Sequence, residues 1–193
     1  MTVLRWPRGA LRWSAVLAVA ASTGGCATLL GEPAPPPSAE EIAAAAAELA
    51  GLPSSEAAER DVESVVERIT AAASAIEPGL RWSRSEDRAL GSCYGPYEHT
   101  GGRRVVLPRH RAEGSLPPDA WPGFQETARV LAWSVGATDM LPAAGSSPDR
   151  HVTFEGSDAA KWDSNTQLSV FADARSMTVT ATVGCRLPER PGG

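Results

Sequence analysis

Three cysteines in 193 residues constrain this chain more than any other feature. The first, Cys26, closes the opening stretch MTVLRWPRGALRWSAVLAVAASTGGC. Arg5, Arg8 and Arg12 make its start positive, and Trp13 to Ala21 form a short apolar run. That run falls below the ~18 apolar residues a membrane span requires, so it reads as an export signal. Thr23-Gly24-Gly25 then sets small residues directly before Cys26. The arrangement resembles a bacterial lipobox, with Thr23 in the place of the usual aliphatic residue. A lipobox cysteine receives a diacylglyceryl group and becomes the new N-terminus; the rival is an ordinary cleaved signal with a free Cys26. Each buried methylene contributes about 0.8 kcal/mol, and two acyl chains hold stably where one holds marginally. The expected layout is a signal over 1–25, lipidated cysteine, linker and short helix over 26–53, a domain over 54–188, and a tail over 189–193.

Setting Cys26 aside leaves Cys93 and Cys185. An even pair in an exported domain reads as a disulfide, because that compartment lacks the reducing thiol pool of the cytosol. The loop would enclose about 92 residues, and closing ~100 residues is worth about 4.7 kcal/mol in the chain-entropy model. A redox-active pair and a thiol nucleophile are the rivals. Ser92-Cys93-Tyr94 echoes thiol proteases, but the glutamine expected ahead of such a cysteine is missing, and Cys185 would be left unexplained.

Charge narrows the partners. The chain carries −5 overall, and only one of its 18 basic residues is a lysine, Lys161. Residues 1–25 hold three arginines and no acid, so the remainder is more acidic still. An acidic domain without a basic stripe does not suit nucleic acid, whose affinity rests on neutralised phosphates. No metal is expected either: none of His99, His110 and His151 has a second histidine or a cysteine three or four residues away. Glu86, Asp87, Asp139 and Glu155 could serve acid–base chemistry, but nothing in their spacing makes them converge. Gly101-Gly102 lacks the Lys-Ser/Thr of a phosphate loop and reads as a turn. No cofactor is expected.

The rest of the chain is organised by periodicity. ATLLGEPAPPP, residues 27–37, is a proline-rich tether that could hold a domain on the order of 30 Å from a membrane at ~3.1 Å per residue. Ser38 and Glu41 form a capping box for an alanine-rich helix stopped by Gly51, which has so little apolar bulk that it reads as a loosely docked stalk. Val62, Val65, Val66, Ile69, Ala73 and Ile76 lie at helical spacing along one face of a stronger helix ended by Pro78-Gly79. LRWSRS (80–85) alternates as a strand, and RRVVLPRH (103–110) reads as a second, with Pro108 suggesting an edge. A further helix over roughly 119–135 is expected to be capped by Asp119, to carry Pro122 in its first turn, and to bury Phe124, Ala128, Leu131 and Val135. Trp82 and Trp133 read as core; Trp121 and Trp162 could be exposed and stack on a ligand. RHVTFEG (150–156) is a strand. TQLSVFADARSMTVTATVGC is a hairpin around Asp173–Ser176, with Leu168, Val170 and Ala172 facing Ala181, Val179 and Met177 on the buried side. Its other side presents Ser169, Phe171, Thr178, Thr180 and Thr182. An aromatic on a hydroxyl-lined face makes those five residues the candidate binding surface, set against an ordinary wet sheet face. The fold class is α+β, an antiparallel sheet with two main helices on one face.

Several of these features occur together in one family. The Gly-Gly-Cys leader, the SEAAERDVESVVERI helix, PGLRW ahead of Cys93, and a terminal hairpin ending in Gly184-Cys185 resemble the LppA-like lipoproteins of mycobacteria and their relatives. The resemblance covers roughly residues 55–187. It implies a membrane-anchored α+β domain with no catalytic residues to carry over. The expectation is therefore a non-enzymatic lipoprotein on the outer face of the cytoplasmic membrane, serving an unidentified envelope partner. A cell-envelope hydrolase or thiol-redox enzyme, and a lipid carrier, are the alternatives.

Overall fold

A computed structural model describes residues 35–142, 150–156 and 163–190. Cys26, most of the tether and Trp162 lie outside them. The described elements run α1 (Ala39–Ala50), α2 (Ser55–Ile76), β1 (Arg81–Ser85), β2 (Ala89–Gly91), a 3-10 turn (Gly95–His99), β3 (Arg103–Val106), β4 (Arg109–Glu113), α3 (Trp121–Trp133), β5 (Asp139–Pro142), β6 (Arg150–Glu155), β7 (Gln167–Ala172) and β8 (Ser176–Arg186). The eight strands form one antiparallel sheet, and β8 is its hub. On one edge β8 pairs with β7, then β6 and β5; on the other it pairs with β3 and β4, which carry β2 and β1 outside them.

The central hairpin has the register its alternation demands. Leu168 faces Ala181, Val170 faces Val179, and Ala172 faces Met177. The turn fixes that register: Asp173 Oδ1 accepts from the backbone N–H groups of Arg175 and Ser176 at 2.6 and 2.8 Å. A one-residue slip would turn every one of these side chains to the opposite face.

Pro108 has a different role from the edge marker expected. Val106 pairs with Thr182 and His110 with Val179, so β3 and β4 lie end to end along β8 with one surplus residue between them. Proline has no N–H to offer a ladder, and the bulge removes the need for one. The single strand expected over 103–110 is therefore two.

Helices α2 and α3 cover the inner face of the sheet. Val62, Val65, Val66, Ile69 and Ala73 are buried with Val170, Val179 and Met177 in the main core, each large side chain contributing roughly 1.5–3 kcal/mol. Ile76, the last residue of the helix, is 40% exposed although its spacing continues the stripe. In α3, Phe124, Ala128 and Leu131 are buried and Val135 packs against the core. Asp119 does not cap it. The cap position is Ala120, and Pro117-Pro118-Asp119 already turns in the helical sense, with Ala120 N–H donating to Pro117 and Trp121 N–H to Pro118. Those bonds satisfy donors that a capping side chain would serve.

Both α3 tryptophans reverse their expected places. Trp121 stands one turn before Phe124, joins the buried stripe, and has its ring 5.6 Å from the Phe124 ring. Trp133 is two residues beyond Leu131, roughly 200° around the helix, and is exposed, with Arg129 over its ring at 5.9 Å. Trp82 is partly buried against the core, and its indole N–H donates to Ser74 Oγ of α2.

Helix α1 is docked and is not the loose stalk expected. Its capping box is present, Ser38 Oγ accepting from Glu41 N–H and Glu41 from Ser38 N–H. Ala45 and Leu49 are buried in a second cluster with Cys93, Tyr97 and Cys185. One leucine suffices because it lands on the disulfide. Cys93 and Cys185 are bonded, their Cα atoms 5.7 Å apart, a separation ordinary for a bridge.

Candidate functional site

The outer face of the hairpin brings together all five residues expected there. Ser169 is opposite Thr180, Phe171 opposite Thr178, and Thr182 opposite Gln167, each of the five half-buried. Neighbouring strands extend the face. His151 of β6 stands opposite Phe171, and their rings meet edge to face at 6.2 Å. Thr153 Oγ1 lies 2.9 Å from Ser169 Oγ and 3.3 Å from His151 Nε2. On the other flank Arg111 stands opposite Thr178, and exposed Val106 opposite Thr182. The result is a band of hydroxyls, each able to donate and accept, around one aromatic pair. His151 was missed as a member because its strand partner was not readable from local sequence.

A second constellation surrounds the disulfide. Glu48 of α1 accepts from Tyr97 Oη at 2.9 Å and from Ser164 Oγ at 2.6 Å. Burial, then the Glu48 hydrogen bond, pushes the Tyr97 phenol up to about 12. Asp163, 1% exposed, accepts from Tyr94 N–H at 2.8 Å through its carboxylate and from Cys185 N–H at 2.6 Å through its carbonyl. Arg104 approaches the Asp163 carboxylate at 3.8 Å. Cys93, Asp163 and Cys185 are close enough to hold an ion, but the two sulfurs are bonded to each other and offer no thiolate. Of the carboxylate, Oδ2 is taken by the Tyr94 N–H, while Oδ1 faces Arg104 without a hydrogen bond. The arrangement holds loop 163–166 onto β8.

Among the described residues the other candidates do not gather in one site, although Asp139 and Glu155 come opposite each other. Glu86 pairs with Arg109 at 3.1 Å. Asp139 and Glu155 stand opposite each other across β5 and β6, a like-charge pair that costs stability, with Glu155 accepting from Gln167 Nε2 at 3.4 Å. His110 sits beside Arg84 at the α2 flank, where burial and then the Arg84 charge hold its pKa below the ordinary imidazole value. His110 and His151 lie on opposite faces of the sheet, as their partners Val179 and Phe171 do. No helix of the described residues is long and apolar enough to cross a membrane.

Residues 30–189 match the profile of the LppA family, described as a lipoprotein confined to pathogenic Mycobacterium. Among solved structures, the lipoprotein LppA from Mycobacterium tuberculosis is similar with a TM-score of 0.58 at 17% identity, over 77% of this chain and 86% of that one. A DUF4853 family protein from Actinomyces odontolyticus ATCC 17982 is similar with a TM-score of 0.43 at 14% identity, over 74% of each chain. No curated protein matches. At such identity the first likeness speaks to the fold, the same α+β arrangement.

Proposed function

The chain belongs to the LppA lipoprotein family, and on that premise we propose that it is exported, anchored through a diacylated Cys26 on the outer face of the cytoplasmic membrane, and acts there as a non-enzymatic binding or accessory module of the cell envelope. The observation that carries the binding role is the Phe171–His151 edge-to-face pair within a hydroxyl-lined sheet face. Aromatic side chains are enriched at contact surfaces, and the hydroxyls around this pair can each donate and accept. The strands beneath are fixed by the core on their other side, so the surface is ordered before any partner arrives, which lowers the cost of binding.

Photo-crosslinking in cells tests this. A benzophenone amino acid in place of Thr178 of the full chain should give one discrete membrane-associated adduct. Phe171→Ala should remove the adduct while lowering the melting temperature by only a few degrees, roughly 1 kcal/mol. Cys26→Ala should move the protein from the membrane pellet to the soluble fraction and remove the adduct as well. An adduct unchanged by Phe171→Ala, or a Cys26→Ala protein still in the pellet, would overturn the corresponding half.

A further inference from the structure

Beyond Cys185 the hub strand ends on a buried charge that Glu48 offsets only in part. Arg186 is 8% exposed. Its two hydrogen bonds both leave from Nη1, to the carbonyl oxygens of Ser164 and Cys185, and Nε has no partner. Burial depresses its pKa, with Glu48 acting in the other direction; the Glu48 carboxylate itself receives Tyr97 and Ser164. A buried cation short of partners carries a desolvation penalty that a correctly placed anion would relieve.

Space for such a group adjoins it. Arg186 lines a cleft of about 260 Å³ between the first turns of α2, the end of α3 and the segment entering β7. Leu52, Ala58, Val62 and Val135 give it apolar walls, Thr166 adds a hydroxyl, and the exposed Asp61 stands among its lining residues. A cleft of that volume has room for a small organic ligand.

We propose that this cleft binds a free α-amino acid with a branched apolar side chain, of the size of leucine. The carboxylate goes to Nη2 of the Arg186 guanidinium, since Nη1 is engaged by two carbonyls and Nε is closed off from solvent. The ammonium goes to Asp61, which would repel a simple carboxylate. The side chain packs against Leu52, Val62 and Val135. This site is separate from the sheet face and does not depend on the function proposed for that face.

Calorimetric titration of the full-length protein in nanodiscs, with leucine and two analogues, decides it. Leucine should bind saturably. Isoamylamine, which lacks the carboxylate, should bind at least about tenfold more weakly, the loss expected for a charge-assisted hydrogen bond. Isocaproate, which lacks the ammonium, should bind about two- to fivefold more weakly, as an exposed ion pair allows. Asp61→Asn should cancel the advantage of leucine over isocaproate without changing the melting temperature, and Arg186→Met should abolish binding of both. Because Arg186→Met alters a buried group and can disturb folding on its own, the analogue series on the unaltered protein is the deciding arm. Absence of saturable leucine binding, isoamylamine binding as tightly as leucine, or an Asp61→Asn protein that keeps the preference would each overturn the proposal.

Discussion

A β-carbon on Gly184 would overlap the backbone of Ser164 and Asn165, whereas one on Gly102 would lie 2.5 Å from Cys185 Sγ and 2.9 Å from Leu49 Cδ1. Both glycines are set by close approach, one of a loop to the hub strand and the other of a turn to the disulfide. The neighbours differ in how far they can yield. Leu49 can change rotamer, but Cys185 Sγ is fixed by the bridge, and the loop backbone is tied down through Asp163, whose carbonyl accepts from Cys185 N–H at 2.6 Å. Overpacking commonly costs about 1–3 kcal/mol, so both Gly102→Ala and Gly184→Ala should fall at or above the upper end. Urea unfolding with an unchanged m-value measures both. A Gly184→Ala protein as stable as the parent would mean that loop 163–166 does not pack on β8. Sequence alone identifies neither role, since the residues that crowd each glycine are distant along the chain.

At the scale of elements, the legible parts were those with local periodicity. The β7–β8 register came through pair by pair because alternation and the Asp173 turn specify it together. The α2 stripe and the Ser38–Glu41 box were likewise local. Docking of α1 was not legible, because its contact depends on Tyr97, 49 residues from Glu48, and on Ser164, 116 residues away. The α3 tryptophans stand where helical phase puts them, Trp121 on the buried stripe and Trp133 off it, and hydrophobicity by itself does not carry that information. Of the candidate face, the hairpin residues were readable and His151 was not, since a strand's neighbour is a long-range property. The α1 contact carries its own pH signature. The folded Tyr97 phenol is raised to about 12 from an ordinary 10.0, so folding favours the protonated form. Its contribution is complete below pH 10 and is lost as pH rises from there through about 12. Denaturation at a series of pH values should show the parent losing stability over that window more steeply than Tyr97→Phe. Equal slopes would show that Tyr97 is not buried against Glu48.

For the molecule as a whole, the bridge from Cys93 to Cys185 spans 92 residues, a stretch that contains β3 to β7 in full and β8 up to its penultimate residue. It ties the cluster under α1 to the hub strand, so the smaller apolar group is held to the sheet by a covalent bond as well as by packing. In the chain-entropy account a loop of that length is worth about 4–5 kcal/mol, a large share of the ~5–15 kcal/mol typical of a domain. Such a dependence suits a protein that folds where thiols are oxidised. If the two sulfurs act as one bond, Cys93→Ser, Cys185→Ser and the double variant should each lose about the same stability in chemical denaturation, because removing either partner already removes the constraint. Both sulfurs are buried, so reductant added to the folded protein should act slowly and become fast only in denaturant. Single losses that sum to the double loss, or rapid reduction under native conditions, would show that the cysteines contribute separately and that α1 is held by packing alone.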